Sequence, residues 1–200
     1  MRPAANLDKR FLMGMALVTL VGFPLLGMGI VKLFSDHPIQ IMMRQRIGIP
    51  EQFLFGIGIG TVMGFISHYV SELPFIRPST AKYGQRLQGL ELNTIDKVLI
   101  SICAGFGEEL LFRGAIQVFY GIWPTAIIFV AIHGYLNPKD WRISSYGVLM
   151  CVFIGIMGYM MEYWGIWSAI AAHVMVDLVL LWRMEEKEVK LDTGQGLDSK

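Results

Sequence analysis

Charge is scarce in this chain. Of its 200 residues, 17 are Lys or Arg and 16 are Asp or Glu, so 16% are charged, against about 25% in soluble domains. The formal net charge is +1 and no basic run is interleaved with aromatics, which gives no basis for nucleic-acid binding or for an acidic substrate. Cysteine is scarcer still. Cys103 and Cys151 both lie in apolar stretches, which excludes a disulfide framework and a zinc-ribbon spacing and leaves them as small buried hydrophobes. Internal repeats and low-complexity tracts are absent. What abounds is apolar surface, with 54% hydrophobic residues and a mean hydropathy of +0.51.

Charge-poor runs predict an all-α bundle of about six membrane helices, at 11–34, 53–70, 98–120, 122–136, 146–163 and 165–182. The run from Ile122 is the shortest, reaching ~22 Å against ~30 Å of hydrocarbon. The first run follows Lys9 and Arg10 but lacks a small-x-small cleavage site, so it reads as an uncleaved anchor. Six spans put both termini on one side. That side collects thirteen of the seventeen Lys and Arg residues, the other holds Lys32, Arg44 and Arg46, and Arg113 lies within a span. The positive-inside rule then places both termini and the 71–96 loop in the cytoplasm. A surface helix is expected in that loop and a charged, frayed tail at 185–200. The chain reads as one integral-membrane domain, 1–200, with a polar core at about 97–183. Gly56, Gly60 and Gly64 recur every fourth residue, a stripe that lets another helix approach closely.

Against this background six polar residues stand out: Glu108, Glu109, Arg113, His133, His173 and Asp177. Ionisable groups inside a membrane are costly and mark functional sites by default. Glu108 is eleven residues beyond Lys97, His133 ten beyond Trp123 and His173 ten before Arg183, so each reaches ~15 to 16 Å into the core, near its midplane. Polar residues serving unrelated structural purposes have no reason to share one depth. Glu109 and Arg113 stand at i and i+4, spaced for an ion pair, while Glu108 points roughly 100° away. His173 and Asp177 have the same spacing, which allows a ring N–H to carboxylate bond that fixes the tautomer. A satisfied polar cluster that locks helices together is the competing reading.

The sequence Glu108-Glu109-x-x-Phe112-Arg113-Gly114, then Phe129-x-x-x-His133, then His173-x-x-x-Asp177 resembles the CAAX prenyl protease and bacteriocin-processing (CPBP or ABI) family of intramembrane proteases. The three motifs occur in the family's order over about a third of the chain. Two departures are visible. Members commonly have around eight membrane helices, and Asp177 stands where the prenyl proteases prefer Asn, whose amide can donate to an oxyanion as an ionised Asp cannot. PrsW-like membrane proteases do use His-x-x-x-Asp, but they differ at the first two motifs.

The resemblance implies a glutamate-type peptidase in a prokaryotic cell membrane, acting on a peptide or membrane-protein substrate in the bilayer, with no nucleic acid and no cofactor. Glu108 and His133 would act as general base on a water, His173 would stabilise the oxyanion with Asp177 holding it, and Glu109 with Arg113 would form the supporting pair. Two alternatives stand beside it. Glu108, His133 and His173 could hold zinc in a catalytic site, or the chain could be a non-enzymatic immunity or scaffold protein.

Overall fold

The computed structural model describes residues 9–81, 90 and 92–192, with side chains as far as Arg183. Its elements are α1 (Lys9–Lys32), α2 (Pro38–Met42), α3 (Ile49–Ser71), α4 (Thr94–Leu111), a π-helical turn (Phe112–Ile116), α5 (Gln117–Tyr120), α6 (Ile122–Ile132), α7 (Trp141–Tyr163) and α8 (Ile166–Asp192). An additional helical turn occupies 77–81. Among the described residues the only β pairing is an isolated bridge between Gln45 and Gly165. The chain is an all-α, multi-pass membrane bundle.

Among the described residues four helices are long and apolar enough to cross a membrane: α1, α3, α7 and the 166–183 part of α8. The expected run at 98–120 takes the form of α4, the π turn and α5 in unbroken succession, its apolar character diluted by the polar motif. The run from Ile122 is realised as an 11-residue helix, ~16 Å long. Gly121 (φ 78°) and Gly134 (φ 80°) bracket it, each in the left-handed region that glycine enters without a Cβ penalty. Helix α8 runs past its expected end at Trp182 to Asp192, so the first part of the expected tail is helical; 193–200 lie outside the described residues. So do residues 82–89 and 91 of the 71–96 loop where a surface helix was expected.

Local chemistry sets the helix ends. Asn93 accepts from the Asp96 N–H while the Asp96 carboxylate accepts from the Asn93 N–H, a capping box that starts α4. Asp96 is also paired with Lys9, which ties the start of α1 to the start of α4 and holds the Asp96 carboxyl below its ordinary range. At the opposite end of the bundle the 43–48 loop pairs with 164–166: Arg46 N–H donates to Trp164 O at 2.9 Å, and Arg44 pairs with Glu162 at 2.9 Å. Gln52, fully buried, bridges the same region, donating to Ile47 O and accepting from the Trp167 N–H.

Helix α8 is the central post. Of its apolar window 56% is buried, against 11% for α1, whose Leu17, Val18, Val21 and Leu25 face outward. The glycine stripe of α3 packs on α8. A Cβ on Gly56 would stand 2.6 Å from the Ala171 Cβ, one on Gly60 would collide with the Ala172 carbonyl, and one on Gly64 would stand 2.8 Å from the Val179 Cβ. On its other side α8 meets α4 through Gly105, where a Cβ would lie 2.6 Å from Val174. These approaches fix α8 in both directions, and Ala172 immediately precedes His173. We expect Gly60→Ala to lower stability by about 1–3 kcal/mol through overpacking, whereas Gly58→Ala, whose Cβ meets nothing within 4 Å, is neutral. Thermal unfolding of the two variants in one detergent checks this; equal midpoints would remove the stripe as a packing determinant.

Candidate active site

The six polar residues converge, although they lie on separate elements. Helix α4 carries Glu108 and Glu109, the π turn carries Arg113, the end of α6 carries His133, and α8 carries His173 and Asp177. The common depth expected from residue counting corresponds here to a common location.

The innermost layer is an ion pair. Glu109 and Arg113 are completely buried, with Arg113 Nε 3.0 Å from Glu109 Oε2. The pair has ordinary i,i+4 helical spacing. In the π turn the Gln117 N–H reaches back five residues to Phe112 O; such turns rephase a helix by one residue and cluster at functional sites. The rephasing turns Gln117 inward, where its amide donates to Gly158 O at 3.1 Å. Arg113 Nη1 and Nη2 have no hydrogen-bond partner among the described residues. Its guanidinium lies over the Phe129 ring, 4.8 Å from the centroid, an attraction that grows when desolvated.

Glu109 does more than neutralise Arg113. Its Oε1 accepts from His173 Nδ1 at 2.7 Å, giving a buried chain Arg113–Glu109–His173 that crosses from the π turn to α8. Asp177, expected from its i,i+4 spacing to hold the His173 ring, is 3.7 Å from Nε2, beyond hydrogen-bond range. This corrects the expectation: the ring is held from behind by Glu109, and Asp177 stands on its front. Helical spacing brought Asp177 near Nε2 without bonding it, while Glu109, on another helix, holds the ring through Nδ1.

The front is where Glu108 lies. Its Oε2 is 3.6 Å from His133 Nε2 and 4.0 Å from His173 Nε2. His133 is oriented by its other nitrogen, which donates to Phe129 O at 2.7 Å, so its Nε2 faces the carboxylate. The side chains of Glu108, Asp177 and His133 retain 15%, 30% and 36% exposure, whereas Glu109 and Arg113 have essentially none. One acid of the adjacent pair is therefore sealed and the other open.

Phe129 is the residue whose importance its sequence context understates. Its ring stacks on His133 at 4.4 Å, meets Phe112 edge-on at 4.9 Å and His173 at 6.0 Å, and lies under Arg113. One buried ring thus sets the positions of both imidazoles and the cation. The Phe-x-x-x-His spacing signals the stacking alone, since the other three contacts come from elements distant in the chain.

Residues 91–179 match the family model described as type II CAAX prenyl endopeptidase Rce1-like. The match covers the motif-bearing part of the chain: all six polar residues and Phe129 fall inside the matched segment, while α1, α2 and α3 precede it. A similar curated protein is the uncharacterized protein YpbD of Bacillus subtilis (strain 168), 28% identical over 96 residues, which is 48% of this chain and 49% of that protein. The chain spans about half the length of this relative. No solved structure matches.

The buried pair makes a quantitative demand on the matched segment. Removing one partner of a buried ion pair typically costs ~3–5 kcal/mol. We expect Glu109→Ala and Arg113→Ala each to lose stability on that scale and the double variant to lose clearly less than their sum. Thermal or denaturant unfolding of the four forms closes the cycle; additive losses would show that the two residues are not coupled.

Proposed function

We propose that the chain is an intramembrane endopeptidase of the CAAX-protease type, in which Glu108 and His133 activate a water and His173 stabilises the oxyanion. The observation that carries this reading is the position of the Glu108 carboxylate, in front of two ring nitrogens at 3.6 and 4.0 Å. These separations are too long for direct bonds and suit an intervening water. The Rce1-like match supports the reaction class.

The roles follow from which atoms are free. Glu108 takes a proton from the water as its oxygen adds to the scissile carbonyl, with His133 Nε2 polarising the same water. His173, its Nδ1 engaged by Glu109, presents Nε2 forward and in its protonated form donates to the developing oxyanion. When the tetrahedral intermediate collapses, the C–N bond breaks and the proton on Glu108 passes to the leaving amine. The products are a carboxylate and an amine. Glu109 and Arg113 are positioning residues, and Asp177, beside Nε2, lies next to the oxyanion site.

Water can reach that depth. Helix α6 ends at His133, and the backbone from 134 to 140 is irregular; inside a bilayer such backbone is tolerated only when buried in protein or lining a water-filled cavity. With both termini cytoplasmic, as the Lys and Arg distribution favours, water would enter from the cytoplasm. Among the described residues no group of three His, Cys, Asp or Glu side chains is arranged to hold a metal ion, and no step here is routed through one.

Glu108→Gln keeps size and hydrogen bonding but removes the base, so we expect it to abolish peptide cleavage at near-normal membrane abundance. Comparing the peptides of native membranes containing the parent or the variant, by mass spectrometry, should reveal at least one that accumulates with the variant. Identical peptide profiles would favour the non-enzymatic reading. Metal analysis of the active protein, with a chelator arm, tests the zinc alternative: activity lost to chelation and restored by zinc would replace the glutamate-base chemistry.

The corrected place of Asp177 makes a second expectation. Asp177→Asn should keep activity at least within a few-fold of the parent, because an amide beside Nε2 can donate to the oxyanion. Glu109→Gln, which loses the carboxylate that holds His173, should reduce the rate by ~10²-fold or more, the scale of a lost oxyanion donor. Cleavage rates of both variants in the same liposomes decide; a greater loss for Asp177→Asn would restore Asp177 as the residue that holds the ring.

A further inference from the structure

A second polar feature lies outside the site, at the end of the bundle where α7 begins. There a cavity of about 350 Å³ is lined by Pro78, Ser79, Lys139, Asp140, Trp141 and Arg142. That volume is more than ten times the ~30 Å³ a water molecule takes up in the liquid, so it admits a polyatomic group. Two cations line it, and among the described residues neither Lys139 nor Arg142 is paired with a carboxylate. The only acid in the lining is Asp140, whose Oδ1 accepts from Ser79 Oγ at 2.9 Å and caps α7 through the Ile143 N–H.

The aromatic surroundings fix the depth of this cavity. Trp141 is 66% exposed, and its ring meets that of Phe75, 38% exposed, at 4.2 Å. Arg142 lies over the Phe75 ring, 5.6 Å from its centroid. The apolar span of α7 starts immediately beyond. Exposed aromatics with basic neighbours at a span boundary are the signature of the headgroup layer. Below them Ile76 is buried with Ile143 and Tyr146, so the segment after α3 that carries Pro78 and Ser79 is anchored and the cavity wall is fixed.

We propose that this cavity binds the phosphate of an anionic phospholipid headgroup, with Lys139 and Arg142 as the phosphate ligands and Trp141 and Phe75 against the headgroup-proximal part of its acyl chains. The shared chemistry is a phosphate anion, and the lipid is favoured over free phosphate because the aromatic pair supplies apolar contact only to a molecule with chains. The occupant would sit at the far end of the 134–140 segment from His133, and so next to the stretch that leads into the site. This inference does not depend on the protease reading.

The test is native mass spectrometry of the full chain in detergent, exposed separately to phosphatidylglycerol, phosphatidylcholine and inorganic phosphate. We expect phosphatidylglycerol to be retained well above phosphatidylcholine, and millimolar phosphate to compete only weakly. Lys139→Gln with Arg142→Gln should lower that retention about thirtyfold, the scale of removing two cations from a membrane surface. Lys139→Arg with Arg142→Lys should keep it, and Lys32→Gln, whose partner is Asp36 on the 33–37 loop, should leave it unchanged. Equal retention of the two lipids, or equal retention by parent and Gln double variant, would overturn the proposal. So would efficient displacement by inorganic phosphate, or binding of an acidic peptide at these residues in place of lipid.

Discussion

A buried carboxylate that serves two partners governs this structure. Glu109 is enclosed without solvent, and in such surroundings an uncompensated charge costs several kcal/mol. It is met by Arg113 at 3.0 Å and by His173 at 2.7 Å, so neutralising the acid also fixes the imidazole. Because the arginine is on the π turn and the histidine on α8, the electrostatic requirement becomes a geometric one: α4 and α8 must lie side by side. Gly105 supplies the close approach on that side and the α3 stripe supplies it on the other.

With Glu109 committed, Glu108 is left facing forward. Adjacent residues on a helix point about 100° apart, and here that angle separates a sealed structural acid from an accessible one. Phe129 completes the division. Its ring covers the guanidinium on one side and stacks with His133 on the other, so the boundary between dry scaffold and open front passes through a single side chain. Helix α1, lipid-facing on its other side, packs closely on α4, where a Cβ on Gly107 would collide with the Thr19 carbonyl, and its Lys9 pairs with Asp96 at the start of α4.

Much of this was legible in the sequence, for identifiable reasons. The Glu109–Arg113 pair follows from i,i+4 spacing in an apolar run, and the common depth of Glu108, His133 and His173 follows from counting residues along helices. The glycine stripe announced a close helix contact but could not say that α8 makes it. The same helical spacing misled at Asp177. Proximity along one helix says nothing of a partner on another, and it is Glu109 that holds the ring, through Nδ1, while Asp177 stands 3.7 Å from Nε2. Phe129 as a hub and the π turn were likewise out of reach. One depends on three contacts from distant segments, and the other on a single extra residue in a turn whose composition is ordinary.

The central claim is that the Arg113–Glu109–His173 chain fixes one histidine from behind and leaves its front nitrogen for chemistry. Nitrogen NMR of the protein labelled at histidine reads the two ring atoms of His173 separately, assigned with a His173 variant. Expected is a protonated, strongly hydrogen-bonded Nδ1 whose signal changes in Glu109→Gln and persists in Asp177→Asn. A signal indifferent to Glu109 but altered at Asp177 would contradict it.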